Sequence, residues 1–93
     1  MSTVKFGVVG AGHIGKRHME MIQRHEGFEL VAFADTRSAE DCGVASDIVA
    51  YSSDVAMLEA HPDLDVVCIC TPNGLHAEQA IRAIQSRCHV VIE

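Results

Sequence analysis

The fold is decided by the opening stretch Val4-Lys5-Phe6-Gly7-Val8-Val9-Gly10-Ala11-Gly12-His13-Ile14-Gly15. An apolar run passes directly into the pattern G-x-G-x-x-G and then into residues with helical periodicity. This strand–turn–helix arrangement binds the pyrophosphate of a dinucleotide. Gly10 permits the tight turn after the strand, and Gly12, without a Cβ, lets the backbone approach the phosphates. Gly15 lets the helix lie close to the sheet, so the stretch predicts the first β–α unit of a nucleotide-binding fold.

The start of the first helix and the end of the second strand complete this pattern. The backbone N–H groups of His13 and Ile14 should lie at the helix N-terminus, where unpaired amides and the helix dipole favour an anion. The second apolar run, residues 28–35, ends in Asp35, which follows Gly15 by twenty residues. That spacing is expected for the carboxylate that binds the adenine ribose hydroxyls; the alternative is a solvated acid at a strand end. Because the glycines are in register, we interpret Asp35 as the ribose ligand.

The residues at the end of the second strand also bear on the choice of cofactor. Asp35 should accept hydrogen bonds from both ribose hydroxyls and repel a 2′-phosphate, which favours NAD. Thr36 and Arg37 follow it and join the predicted site. Arg37 could instead pair with a 2′-phosphate or stack on adenine, so NADP stays open. We favour NAD because the acid occupies the strand end itself.

Composition narrows the class of protein. The chain has 93 residues, enough for one small domain, and 48% of them are apolar. The net charge is −6, and no basic cluster is longer than Lys16-Arg17. This balance argues against nonspecific binding to nucleic acid or to anionic membranes. No secretory signal is recognised, and no apolar stretch approaches the ~20 residues that span a bilayer.

The cysteines and histidines suggest neither a disulfide framework nor a metal site. The four cysteines lack C-x-x-C spacing, and no two of the six histidines form an H-x-x-x-H pair. We expect the cysteines to be buried reduced thiols, with Cys68 and Cys70 on one face of a strand. Reduced thiols fit the cytoplasm, and we predict no metal.

Strand-like runs alternate with helical segments along the chain. Strands are expected at about 4–9, 28–34, 48–51, 66–70 and 89–92, and helices at about 13–25, 54–60 and from the turn at 72–74 to 87, with one or two helical turns at 38–42. Apolar spacing predicts that the first helix faces the core with Ile14, His18, Met21, Ile22 and His25, and the last with Ala77, Ala80, Ile81, Ile84 and Cys88.

This alternation predicts an α/β fold with a doubly wound parallel Rossmann sheet in the strand order 3-2-1-4-5. The chain ends after the fifth strand. A ligand should bind at the C-terminal ends of strands one and four, where the winding reverses. Gly10, Asp35 and Thr71 all lie at such strand ends.

Four motifs along the chain resemble those of one protein family. They are the glycine pattern followed by His18, Asp35 after the second strand, the sequence Cys70-Thr71-Pro72-Asn73-Gly74-Leu75-His76, and Val90-Val91-Ile92-Glu93. The third, T-P-N-x-x-H after a strand, is far more specific than the glycines. The chain resembles, over essentially all of its length, the N-terminal half of the Gfo/Idh/MocA oxidoreductases, the glucose-fructose oxidoreductase and inositol dehydrogenase group.

The resemblance implies roles for the residues around the fourth strand and the chain end. Thr71, Pro72 and Asn73 should lie near the nicotinamide ribose. His76 should lie near the nicotinamide or the substrate edge; a polar residue at a helix start is the alternative. Glu93 should bind the ribose or orient the lysine of a Glu-Lys-Pro motif, which would come next. His18 reads as a satisfied, partly buried histidine.

The resemblance also implies that residues 1–93 are the dinucleotide-binding domain of a longer enzyme. That enzyme would transfer hydride between a nicotinamide cofactor and a sugar, cyclitol or related polyol, and would be a homo-oligomer. The C-terminal substrate domain and the lysine are absent from this chain. We therefore expect no catalytic residue in it and no turnover by it alone. A nucleotide-binding or regulatory module without chemistry is the main alternative, and a methyl-donor-binding Rossmann protein is a weaker one.

Overall fold

Five parallel strands form one sheet in the order β3-β2-β1-β4-β5. The structure, a computed structural model, describes residues 3–45 and 47–93, and the side chain of Asn73 lies outside this description. The strands are β1 (Val4–Val9), β2 (Phe28–Ala34), β3 (Val49–Tyr51), β4 (Val66–Ile69) and β5 (His89–Ile92). The helices are α1 (His13–Arg24), α2 (Ala39–Cys42), α3 (Asp54–Ala60) and α4 (His76–Gln85), with a 3₁₀ turn at Asn73–Leu75. The predicted α/β fold and strand order are confirmed.

Helices cover both faces of the sheet. Since successive side chains of a strand point to opposite faces, neighbours such as Val8 and Val9 enter different cores. α1 and α2 pack on the face that carries Val8, Phe33 and Cys68. α3 and α4 pack on the opposite face, which carries Val9 and Ile69. The change of face falls between β1 and β4, so the crevice of a doubly wound sheet should open there.

The predicted inner stripe of α1 is correct for Ile22 and for the half-buried His18, and wrong for its other three members. The structure buries Gly15, Met19 and Ile22, while Ile14 and Met21 are 44% and 66% exposed. Gly15 sets this rotation, because a Cβ there would overlap the carbonyl oxygen of Gly10. Only a hydrogen fits between the helix and the turn, so the face with Gly15 lies against the sheet. Of the other members of the predicted stripe, His18 is half-buried and His25 is exposed.

The predicted inner stripe of α4 was also wrong, except for Ala80 and, just beyond the helix, Cys88. Gln79, Ala80 and Ala83 are buried, whereas Ile81 and Ile84 are 55% and 61% exposed. Ala77 is exposed as well. The alanines let the helix approach the sheet closely. Two polar contacts, Gln79 with Thr71 and Arg82 with Asp54, hold this rotation.

α4 ends two residues earlier than predicted because Arg87 adopts a left-handed conformation, φ 68°. The amide of Arg87 donates to the Ile84 carbonyl at 2.9 Å, and the amide of Cys88 donates to the Ala83 carbonyl at 3.0 Å. These two bonds form a Schellman motif, in which glycine usually holds the left-handed position. The chain then enters β5.

Candidate functional site

A cleft of about 520 Å³ opens at the C-terminal ends of the central strands. Its position at the change of winding is the one predicted for a ligand. The cleft is lined by Val9, Gly10, Gly12, Ala34, Asp35, Thr36, Arg37, Ser52, Ser53, Asp54, Cys70, Thr71, Pro72, Leu75 and Gln79. Seven of the predicted site residues are therefore brought together: Gly10, Gly12, Asp35, Thr36, Arg37, Thr71 and Pro72.

The N-terminus of α1 lies beside this cleft, which its N-cap residue lines. Gly12 is the N-cap, no side chain caps the helix, and its first turn carries no acid. Within residues 3–45 and 47–93, no group accepts a hydrogen bond from the amides of His13, Ile14 or Gly15. Unpaired amides at the positive end of a helix dipole suit a phosphate. The side chains of His13 and Ile14 are exposed and, like Gly15, lie outside the cleft lining.

The three glycines of the motif meet different constraints. Gly10 has φ +93°, and a Cβ there would lie 2.9 Å from the Cys70 carbonyl and from Cγ2 of Thr71. A Cβ on Gly15 would overlap the Gly10 carbonyl. A Cβ on Gly12 would meet no atom of the described residues within 4 Å, and its φ of −77° suits any residue. Protein packing thus requires glycine at two positions, while at Gly12 the space is open for a ligand.

Asp35 ties the glycine-rich turn to the end of β2. Its Oδ2 accepts a hydrogen bond from the Ala11 amide at 2.8 Å. Its Oδ1 accepts from the amide and from Nε of Arg37, at 2.9 and 3.1 Å. Partial burial raises the pKa of Asp35, but the hydrogen bonds from Arg37 and Ala11 outweigh it and lower the pKa to about 2. The carboxylate is therefore ionised throughout the physiological range.

Thr71 is held from two sides at the opposite end of the cleft. Its hydroxyl donates to Oε1 of Gln79, and its carbonyl accepts a hydrogen bond from Nε2 of His76. The ring of His76 therefore binds the loop and does not line the cleft. The predicted role of the Asn73 side chain lies outside the described residues.

Glu93 lies apart from the cleft. Its amide donates to the Ile69 carbonyl at 3.1 Å, which extends the pairing of β4 with β5. Its Oε2 is 3.6 Å from Nε2 of His18 on α1. The half-buried His18 thus has a carboxylate neighbour, and the contact joins α1 to the end of β5.

Several residues that line the cleft were missed from the sequence. Ser52, Ser53 and Asp54 follow β3, so the strand-end reasoning applied to Asp35 could have found them. Asp54 is 6% exposed and accepts hydrogen bonds from Nε and Nη2 of Arg82, at 2.7 and 3.1 Å. The pair fixes the start of α3 to α4. Gln79 carried no such signal, because it lies inside a helix and outside the stripe predicted to face the core.

Burial raises the pKa of all four cysteines. All four are free; Cys42, Cys68 and Cys88 are buried, as expected for reduced thiols, and Cys70 is half-buried. Burial raises the pKa of Cys68 to about 11 and that of Cys70 to about 12, so the reactive thiolate is scarce. Cys68 and Cys70 lie on one face, as predicted.

No group of three or more His, Cys, Asp or Glu side chains among the described residues could hold a metal ion. Within the same residues, no helix has the length and apolar character needed to cross a bilayer.

Known proteins resemble this chain along almost its whole length. It is 32% identical over 92 residues to 4-carboxy-2-hydroxymuconate-6-semialdehyde dehydrogenase of Sphingobium sp., covering 97% of this chain and 29% of that protein. It is 38% identical over 76 residues to inositol 2-dehydrogenase of Rhizobium meliloti, covering 82% and 23%. The crystal structure of a Bordetella pertussis dehydrogenase in complex with NADH and UDP-GlcNAcA superposes with a TM-score of 0.78 at 35% identity, covering 97% and 28%.

The chain thus spans about a quarter of the length of these relatives. Residues 4–93 match the family described as "Oxidoreductase family, NAD-binding Rossmann fold". With the glycine turn, the acid after β2 and the cleft between β1 and β4 in place, the chain belongs to this Gfo/Idh/MocA family of oxidoreductases, as an NAD-binding Rossmann domain.

Proposed function

We propose that this domain binds NAD for an oxidoreductase that transfers hydride between the nicotinamide and a hydroxyl of a sugar, cyclitol or related polyol. One observation carries the cofactor assignment. The uncapped N-terminus of α1, with open space beside Gly12, lies between Asp35 at one end of the cleft and Thr71 at the other. The pyrophosphate would bind at the helix, the adenine ribose at Asp35 and the nicotinamide half at Thr71 and Pro72. Asn73, His76 and Glu93 complete the proposed nicotinamide side, as the family resemblance implies.

The position of Arg37 bears on whether the site prefers NAD or NADP. Its guanidinium donates hydrogen bonds to both oxygens of the Asp35 carboxylate. A ribose hydroxyl must therefore displace at least one of these hydrogen bonds. The Arg37 side chain is 52% exposed and can move into solvent. Once released, it stands next to the 2′ position, where it could pair with the phosphate of NADP. We propose NAD as the main cofactor because Asp35 stays ionised and repels that phosphate.

The choice of substrate class is supported by the names of the relatives. One is an inositol dehydrogenase, and a structural neighbour was solved with a nucleotide sugar acid beside NADH. Bound NAD supplies the hydride acceptor; this chain's residues bind and orient it. We propose that the substrate surface and the acid–base lysine belong to a further domain of a longer, homo-oligomeric parent protein. Residues 1–93 alone should then bind the cofactor without turnover.

Free thiols support a proposed location in the reducing cytoplasm, and the net charge of −6 disfavours nucleic acid or anionic lipid as a partner. A regulatory module without chemistry is the competing proposal. The reaction of the parent protein separates the two. NAD reduction with one polyol of this class supports the enzyme, whereas cofactor binding without turnover by the parent supports the module.

Binding experiments test the cofactor assignment directly. The chain has no tryptophan, so NADH fluorescence can be followed without overlap from protein emission. We expect saturable NADH binding that is tighter than NADPH binding. Asp35→Ala should raise the affinity ratio of NADPH to NADH about tenfold, the equivalent of ~1.4 kcal/mol. The control is Glu40→Ala, which removes an exposed charge on α2 outside the cleft and should leave the ratio unchanged. Tighter binding of NADPH by the wild type would contradict the role assigned to Asp35.

A further inference from the structure

Gln79 is a buried polar residue without a role in the proposed cofactor contacts. It is 9% exposed, it lies on the inner face of α4, and it also lines the cleft. Glutamine is seldom buried unless it is paired. Its Oε1 accepts the hydrogen bond from the Thr71 hydroxyl.

The position of Thr71 is fixed by three neighbours. Gln79 takes its hydroxyl proton, and His76 donates to its carbonyl oxygen. On the third side, Thr71 packs so closely on the glycine turn that a Cβ on Gly10 would lie 2.9 Å from its Cγ2. The side chain therefore has little freedom to turn.

This arrangement has a consequence for hydrogen bonding. A threonine hydroxyl has one proton to donate and two lone pairs that accept. Because the proton is directed to Gln79, the oxygen can only accept a hydrogen bond from a ligand in the cleft. A ribose hydroxyl or the carboxamide NH₂ of the nicotinamide half can donate such a bond, whereas the adenosine half lies at Asp35, across the cleft.

We propose that Gln79 is a positioning residue that holds the Thr71 hydroxyl as an acceptor for a donor on the nicotinamide half of the dinucleotide. The inference rests on the proposed NAD-binding function. It predicts that loss of Gln79 affects only the half of the ligand that reaches Thr71. A residue needed only for packing of α4 would affect every ligand alike.

The test compares NADH with ADP, which lacks both the nicotinamide and its ribose, in binding to the same protein. Gln79→Met keeps the length of the side chain and removes the acceptor. It should weaken NADH binding about fivefold to tenfold, the effect of one neutral hydrogen bond, and leave ADP binding within twofold of wild type. The matched control is Gln85→Met, the same substitution at an exposed position of α4. It should change neither ligand.

A second variant provides the test if the Gln79→Met protein does not fold. Thr71→Val removes the hydroxyl with little change of shape and should give the same selective loss. In the Thr71→Val background, Gln79→Met should cause no further loss of NADH affinity. Equal weakening of both ligands by Gln79→Met, or a selective loss that adds to that of Thr71→Val, would overturn the inference. If the wild type binds neither NADH nor ADP, the proposed function itself fails.

Discussion

A methyl group added at Gly15 should impair folding, whereas one added at Gly12 should impair cofactor binding. Gly15→Ala would place a Cβ over the Gly10 carbonyl, with the carbonyl carbon 2.9 Å away. The obstacle is backbone, so no side-chain rotation relieves it, and α1 must move off the sheet. Gly12→Ala places its Cβ where no atom of the part of the chain that the structure describes lies within 4 Å, in the space assigned to the pyrophosphate.

The expected magnitudes follow from these two environments. Overpacking costs about 1–3 kcal/mol, and a backbone overlap belongs at the upper end. The helix propensity of alanine returns about 1 kcal/mol at Gly15. The net loss is about 2 kcal/mol, or a fall in Tm of roughly 8–16 °C for a domain of this size. Gly12→Ala meets no atom and should stay within about 1 kcal/mol of wild type. It should nevertheless weaken NADH binding at least about tenfold, because a hydrogen bond to a charged group such as a phosphate contributes about 1.5–3 kcal/mol.

Thermal unfolding without ligand and NADH titration give the two readouts. The expected pattern is a large fall in Tm with Gly15→Ala, and a near-normal Tm with weakened NADH binding in Gly12→Ala. The reasoning is refuted if Gly15→Ala unfolds at the wild-type temperature. It is also refuted if Gly12→Ala binds NADH as tightly as the wild type, since the open space would then not hold the phosphates.

Three further predictions concern single residues. Arg87→Gly should stabilise the fold by about 1 kcal/mol, because glycine lacks the steric penalty of the left-handed conformation. Urea unfolding measures this, and Arg87→Ala should give no such gain. The pKa of Asp35 is lowered from 3.8 to about 2, so its stabilising contribution is complete above pH 4 and is lost as the pH falls through about 2. We expect Asp35→Asn to be about 1 kcal/mol less stable at neutral pH, after allowance for the exposed Arg37, with the two unfolding curves converging near pH 2; a constant difference down to pH 2 would contradict this. Finally, because burial raises the pKa of Cys70 to about 12, iodoacetamide at neutral pH should modify Cys70 at least about a hundredfold more slowly than free cysteine, as followed by mass spectrometry. Rapid labelling of folded protein would show that the thiol is not protected.

The order of elements was predictable because it depends on local patterns. The continuous apolar runs of β1 and β4, and the glycine turn after β1, identify buried parallel strands. Once five strands alternate with helices, the handedness of the crossovers leaves few arrangements of the sheet. The residues at strand ends, including Gly10, Asp35 and Thr71, were therefore placed at one edge from the sequence alone.

The faces of the helices were not predictable from hydrophobicity. In α1, the contact of Gly15 with the Gly10 carbonyl decides the rotation, although Ile14 and Met21 are the more apolar side chains. In α4, the bonds of Gln79 and Arg82 turn Ile81 and Ile84 outward. Both cases depend on contacts between residues distant in sequence or on a close backbone approach, which a periodic count of apolar residues does not register.

The position of the cleft over the β1–β4 junction affects how the chain opens. Strands β1 to β3 come from residues 4–51, and β4 and β5 come from residues 66–92. The pairing of β1 with β4, which runs up to Val9 and Ile69, joins these two segments. The hydrogen bond from the Cys70 amide to the Val9 carbonyl extends this pairing. A dinucleotide bound between Asp35 and Thr71 would span that joint, so opening it would first require release of the ligand. Amide hydrogens of β4 and β5 should therefore exchange more slowly when NADH is bound, even where they are far from the cofactor.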